Sequence, residues 1–427
     1  MKIPFFGLGK PKLKYPVVES RGQDTIDKIP LPRKVTLFLK QTDVRSDDLI
    51  LKIGEEIKTG QKLRLTEEND NYLISTITGT ITEISWHTGY LGQTYPAVFV
   101  DAGEEDQWSR EFNEIDKKSL PDAALKFLSC LPGAPDLGSL LNVKPALNTM
   151  IINGTDKDLL VRVNQLTVKT EIEGLKEGIE YLKKITPASR IIIVVPPDLR
   201  SQAEQCGAEV KVINVQYPDT LPKMIMKNVL GRVIPPGKNC EDMGVGFINA
   251  EAVVALASAF TKGEIPIDKI LTVVKQDGTS VNVRARIGTH VKDILSALRI
   301  ETGWGDRLIL GGPMTGHAVY SEDMPVLADT DAIMVQDREQ IIWSSDSSCV
   351  NCGECIRACP AKIPVNMLVR LLENGLYEEA AEEYDLLYCV ECGLCSYVCI
   401  ARIPLFHYIM LGKYEFAKIE REEESHA

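Results

Sequence analysis

Two stretches decide the reading of this chain: CVNCGECIRACPAKIP at residues 349–364 and CVECGLCSYVCIARIP at residues 389–404. Each spaces four cysteines as C-x2-C-x2-C-x3-C, and together they use all but three of the chain's 11 cysteines. Structural zinc usually takes two C-x2-C pairs separated by a longer loop. Disulfides belong to oxidising compartments, and the opening MKIPFFGLGKPKLKYP has lysines but no continuous apolar run, so no secretory signal is expected. Four thiolates in one tight loop match the bacterial pattern for a [4Fe–4S] cluster, and soft thiolate ligands suit iron–sulfur chemistry. Two [4Fe–4S] clusters are therefore the leading expectation, with zinc and disulfides as the competing ones. In two-cluster ferredoxins the fourth cysteine of each run ligates the other cluster. That rule groups Cys349, Cys352, Cys355 and Cys399 as one ligand set, and Cys389, Cys392, Cys395 and Cys359 as the other.

The two sets also share C-x-x-(K/R)-I-P after the fourth cysteine, ending at Pro364 and Pro404, which is an internal repeat. Pro360 directly follows Cys359, whereas Ile400 follows Cys399. Between the sets, Met367, Leu368, Leu371 and Leu372 recur at helical spacing, and a second such pattern follows Gly375. The module is expected to be helical where a small ferredoxin would have strands. Gly353 and Gly393 fall inside the loops, where backbone passes close to sulfur.

The remainder of the 427-residue chain reads as several domains. Its formal net charge of −12 argues against a nucleic-acid surface. No apolar run approaches the roughly 18–20 residues of a membrane span. An N-terminal extension (1–32) precedes a β-rich segment (33–103) with turns expected at Gly54, Gly60 and Gly79. Its glycine layout resembles a lipoyl-like barrel-sandwich domain, but no hairpin lysine is present to carry a cofactor, so a scaffold role is expected. Residues 104–262 read as a Rossmann-like α/β domain. NTMIING and RIIIVVPP are buried parallel strands, EIEGLKEGIEYLKKI an amphipathic helix, VKVINVQ a third strand, and GVG a turn before the helix NAEAVVALASAF. Residues 263–336 hold a DG hairpin, the helix THVKDILSALRI and the turn LILGGPMTG, which suits a β-grasp, SLBB-like domain. The α-helical dicluster ferredoxin module (337–410) and a charged tail (411–427) complete a multidomain α/β chain.

This order of parts resembles the RnfC family, the peripheral C subunit of the Rnf ion-translocating electron transport complex. The local runs VQYPDTLPKMIMKNVLGRVIPPG from Val215, GVGFINAEAVVAL from Gly244 and LILGGPMTG from Leu308 resemble it too. The resemblance implies an electron-transfer subunit, peripheral to the membrane on its cytoplasmic side. Its implied partners are the other subunits of a membrane-bound complex and a soluble redox donor or acceptor protein. It also implies a glycine-rich run and an acidic motif that hold FMN and NADH. Here those positions read LSCLPGAPDLGSLL and IINGTDKDLL, in which Gly133, Ala134 and Asn153 keep the pattern and Asp156, Lys157 and Asp158 replace the acidic pair. Two glycines that let backbone approach a phosphate are missing. FMN and NADH binding is thus in doubt, and no catalytic residue is assigned. An FMN-containing, NADH-oxidising subunit is the first alternative, and a scaffold with structural clusters the second.

The lesser features have plain readings. Cys130, Cys206 and Cys240 suit small core positions. His87, His290, His317, His407 and His426 show no ligand spacing. GGPMTG lacks a P-loop lysine and reads as a tight turn. The tail reads as a solvated helix that could dock on a partner. Lys2, Lys10, Lys12 and Lys14 beside Phe5 and Phe6 suit an anionic membrane or a protein groove equally.

Overall fold

The computed structural model describes residues 11–426 apart from 19–24, 40–48, 68–71, 90, 115–118, 129–130 and 134–136. The expectations for Cys130, Ala134, Lys2, Lys10, Phe5 and Phe6 lie outside the described residues.

The fold that positions the site is a four-stranded parallel sheet in the middle of the chain. Strands Thr149–Asn153 and Arg190–Val195 are runs of β-branched and aliphatic residues, buried on both faces as central parallel strands require. The sheet order is Glu209–Val212, Arg190–Val195, Thr149–Asn153, Val245–Asn249. The helix Ile172–Ile185 buries Leu175, Ile179, Leu182 and Ile185, spaced by three or four residues. It crosses the helix Ala250–Lys262 so closely that a Cβ on Gly178 would lie 2.1 Å from the Val253 carbonyl oxygen. The fourth strand, Val245–Asn249, is a correction to the sequence reading, which had only a turn there. Gly246 interrupts the apolar pattern, yet it is needed, because a Cβ there would sit 2.6 Å from the Met150 sulfur.

Two larger sheets and a two-stranded ribbon, Lys62–Arg64 with Tyr72–Ile74, hold the other strands. Strands Lys34–Phe38, Thr94–Ala102, Gly79–Thr88 and Glu56–Ile57 form an antiparallel sheet around Val35, Ile81, Val98 and Val100. Gly54 and Gly60 adopt left-handed turns, as expected. Gly79 instead begins a strand, where a Cβ would lie 1.9 Å from the Asp101 carbonyl oxygen. The six-stranded mixed sheet joins Asp268–Val274 and Ser280–Arg286 through the anticipated DG hairpin, and packs the helix Val291–Ala297 on one core. One of its edge strands is Ile26–Lys28, parallel to Asn282–Arg284, so this part of the N-terminal segment is built into the fold. Lys14 likewise bridges to Gln216.

The sheets are tied by polar contacts, some of them fully buried. Lys269 is fully buried, and its Nζ meets the Glu251 carboxylate at 2.6 Å and the Asp331 carboxylate at 3.0 Å. Glu251 also accepts the Ile270 amide at 2.7 Å, so the pairing is backed by backbone donors. Arg286 forks onto Asp106 at 3.2 and 2.6 Å and donates to the Thr76 carbonyl. Buried His290 makes a 2.8 Å hydrogen bond with Thr36.

Candidate functional site

The sequence repeat is also a backbone repeat. Asn351 and Glu391, Gly353 and Gly393, and Lys362 and Arg402 all adopt positive φ, at matched positions of the two loops. Gly353 and Gly393 each precede a short helix, Glu354–Ala358 and Leu394–Tyr397. Pro364 and Pro404 each start a longer one, Val365–Glu373 and Leu405–His426. The segment between the cysteine sets is helical, as its spacing predicts. The tail is less solvated than its reading had it, since Phe416 enters the module core and Lys413 reaches the second loop.

The eight cysteines divide into two unlike groups. A groove is lined by Cys349, Cys352, Cys355 and Cys399, so the fourth cysteine of the second run lies with the first three of the first run. This groove opens to solvent, with Cys352 exposed and Val350 and Ile400 exposed beside it. Cys359, Cys389, Cys392 and Cys395 are all no more than 8% exposed. Burial pushes the Cys355 thiol up to about 11 and the Cys392 thiol up to about 12. The charges of Cys359 and Cys389 add to the rise at Cys392 and Cys395. Such thiols ionise only against a strong cation, and ligation of a metal supplies one. Among the described residues, no three or more His, Cys, Asp or Glu side chains converge as around a single metal ion. An iron–sulfur cube holds its thiolates farther apart than one zinc ion does.

The buried group meets the segment 217–223, which follows the edge strand Glu209–Val212 of the parallel sheet. The Tyr217 hydroxyl donates to the Cys392 carbonyl at 2.7 Å. Tyr217 packs on Tyr15 with ring centroids 5.3 Å apart. Lys223, on the helix Pro222–Leu230, donates to the carbonyls of Leu387 and Cys389 at 3.3 and 3.1 Å. Lys413 donates to the same Cys389 carbonyl at 3.0 Å and pairs with Glu391 at 2.7 Å. The Glu391 amide in turn points at the Cys389 sulfur, 3.3 Å away. Sequence reasoning did not single out Tyr217, Lys223 or Lys413. The first two lie in the VQYPDTLPKMIMK run, whose apolar spacing gives no hint of its contact with residues some 170 positions later.

A second site lies at the other side of this contact. Strand order reverses between Thr149–Asn153 and Val245–Asn249, and open α/β sheets bind ligands at the carboxyl ends of such strands. Asn153 and Asn249 end those two strands, and both line a cavity of about 1040 Å³. Lys126, Lys157, Phe247 and Cys240 also line it. Asn153 is buried with its Oδ1 accepting from Thr155, while its Nδ2 has no partner among the described residues. The cavity has the room and position for a flavin-sized ligand, and Asn153 brings it an unused donor. Asn249 donates to the Gly133 carbonyl at 2.6 Å, which fixes the remnant of the glycine run at the cavity wall. Cys206 and Cys240 are buried among apolar neighbours, as expected.

The altered acidic stretch is put to structural use. Asp156 is wholly buried and accepts from the Asn164 amide at 2.8 Å and from Gln165 at 3.0 Å. Burial drives its carboxyl up to about 7 against those donors. Asp158 caps the GGPMTG turn, whose backbone amides and Thr315 hydroxyl it accepts. The turn reading of that motif therefore stands.

Comparison with known proteins bears on both sites. Residues 138–258 match the Nuo51 FMN-binding domain, and residues 341–400 match the 4Fe-4S dicluster domain. The C subunit of the proton-translocating ferredoxin:NAD(+) oxidoreductase complex of Clostridium ljungdahlii is 25% identical over 85% of this chain and 83% of its own length. The C subunit of the ion-translocating oxidoreductase complex of Buchnera aphidicola is 24% identical over 84% of this chain and 79% of its own. The Yersinia pseudotuberculosis counterpart is 26% identical over 82% of this chain, but the chain spans only about half, 53%, of that protein. Nearly the full length of the chain, with both of its matched domains, is thus related to RnfC, the C subunit of ion-translocating oxidoreductase complexes.

Proposed function

We propose that this protein is the iron–sulfur electron-transfer subunit of a membrane-associated redox complex, carrying electrons through two [4Fe–4S] clusters. The observation that carries the reading is the gathering of Cys399 with Cys349, Cys352 and Cys355 around one groove. It supports an outer cluster on those four thiolates and an inner cluster on Cys389, Cys392, Cys395 and Cys359. When bound, each cube stores a single electron. The chain's own residues set where electrons enter and leave. Exposed Cys352, with Val350 and Ile400 around it, suits exchange with a redox partner protein. The inner group lies against Tyr217 and Lys223, and Pro222 next to Lys223 lines the large cavity. This arrangement supports a path from cavity to inner cluster to outer cluster to partner.

The partners proposed are the membrane subunits of the complex and a soluble donor or acceptor, with the chain peripheral on the cytoplasmic face. Among the described residues no helix is long and apolar enough to cross a membrane. The barrel-sandwich (33–103), Rossmann-like (104–262), β-grasp (263–336) and dicluster (337–410) divisions are proposed on the same footing. The antiparallel sheet, the parallel sheet, the mixed sheet with one helix and the helical module respectively support them.

A second reading, an FMN-containing subunit that exchanges electrons with NAD(H), is favoured by the cavity and by the unused Nδ2 of Asn153. A bound flavin would convert two-electron hydride chemistry into single electrons, with Asn153 donating to its polar edge. Anaerobic purification tests both readings. About eight irons per chain and an EPR signal from two coupled [4Fe–4S] centres are expected. Zinc alone, with no such signal, would refute the first reading. Stoichiometric flavin absorbance would establish the second.

A further inference from the structure

We infer that Lys223 and Lys413 selectively raise the reduction potential of the inner cluster. The inference rests on the two-cluster reading above. Both side-chain amines converge on one acceptor, the Cys389 carbonyl, at 3.1 and 3.0 Å. Two cations so placed repel each other unless negative charge lies nearby. Glu391 pairs with Lys413 at 2.7 Å and offsets one of them. Among the described residues the other contacts only carbonyls, and an anionic cluster held on Cys389 would supply the balancing charge.

The outer loop is built differently at the equivalent positions. Asn351 stands where the inner loop has Glu391, and its side chain accepts from Asn366 at 2.7 Å. Arg357 donates to the Cys352 carbonyl at 2.7 Å, but its charge is met by Glu354 at 2.5 Å. Lys362 and Arg402 are exposed, so water and salt screen them. The inner site therefore sets two half-buried ammonium groups against the single carboxylate of Glu391, whereas at the outer site, among the described residues, the one cation that touches the loop carbonyl is matched by Glu354.

Reduction adds one negative charge to a cube, and the potential follows net charge, hydrogen bonding and solvent exposure. Burial alone would lower the inner cluster's potential by disfavouring that charge. The two lysines oppose this, from separate helices: Lys223 on Pro222–Leu230 and Lys413 on Leu405–His426. They act as positioning and potential-setting groups, not as ligands.

The test is an anaerobic potentiometric EPR titration of the full chain carrying Lys223→Met, Lys413→Met or Lys183→Met, the last being an exposed control on another helix. In each of the first two variants one cluster's midpoint should move to a more negative value while the other holds. Lys223→Arg and Lys413→Arg should restore it. Midpoints unchanged in both variants, equal shifts of both clusters, or the same shift in Lys183→Met would overturn the inference while leaving the two-cluster reading intact. Preparations of the wild-type chain without iron or an EPR signal would overturn the reading and the inference together. If Lys413→Met fails to assemble, Lys223→Met decides the matter alone.

Discussion

The carboxylate of Asp158 accepts the Thr315 amide at 2.7 Å, the Thr315 hydroxyl at 2.6 Å and the Met314 amide at 3.1 Å. It thereby pins the GGPMTG turn of the mixed sheet to the loop that follows the first strand of the parallel sheet. The turn then presses on the cysteine module, since a Cβ on Gly393 would lie 2.2 Å from the Met314 carbonyl oxygen. Three regions that are distant in sequence thus meet at this turn. Asp158→Ala would strand the Leu159, Met314 and Thr315 amides and the Thr315 hydroxyl in a partly buried site, at a cost of about 3 kcal/mol. The expected result is a lower denaturation midpoint, with faster loss of the inner cluster's EPR signal. An unchanged midpoint would show that the turn holds without this anchor.

Exposure of the two cysteine groups sets an order of cluster loss. An iron chelator or mild oxidant should bleach the wild-type chain in two phases, the outer cluster first, because Cys352 is exposed while all four inner thiols are buried. Cross-ligation makes a sharper forecast. Cys399→Ser should cripple the outer cluster and leave the slow phase, although Cys399 belongs to the second run. Cys359→Ser should leave the fast phase. Reversal of these two outcomes would mean that each run holds its own cluster.

The cysteine module was legible because its chemistry demands a fixed spacing, and its helices because their apolar residues recur every three or four positions. The parallel strands were legible as buried aliphatic runs. What the sequence withheld was pairing at long range. Val245–Asn249 escaped because Gly246, required by Met150, breaks the strand pattern. Ile26–Lys28 is a three-residue edge strand whose partner lies some 250 positions away. Lys223 and Lys413 are ordinary helix lysines until the fold brings both to the Cys389 carbonyl. Asp156 and Asp158 read as replacements within a ligand motif, and only the contacts with Asn164 and Thr315 reveal their structural work.

The cavity between Asn153 and Asn249 is open to a direct measurement. A ligand that binds only the folded state raises its stability by mass action, by about 2.7 kcal/mol at a hundredfold excess over Kd. FMN added to the flavin-free chain should therefore raise the melting temperature if the second reading holds. Asn153→Leu should abolish that rise by removing the unused donor. No rise in the wild-type chain would remove FMN from consideration and leave the clusters as its redox centres.

Asp156 makes the fold's stability depend on pH in a direction opposite to the usual carboxylate. Its folded value, raised to about 7 mainly by burial, exceeds the 3.8 of the free side chain. The folded state therefore binds this proton more tightly than the unfolded one. Acidification from above 7 toward 3.8 then stabilises the fold at this site, and the gain is lost again as pH rises through 7. Between pH 8 and pH 5 the difference is on the order of 2 kcal/mol. Asp156→Asn carries no titrating proton, so its stability should lack this component. The measurement is urea denaturation of both proteins across pH 5–8. The wild-type chain should gain stability relative to the variant on the acid side, and parallel curves would show that Asp156 stays ionised throughout.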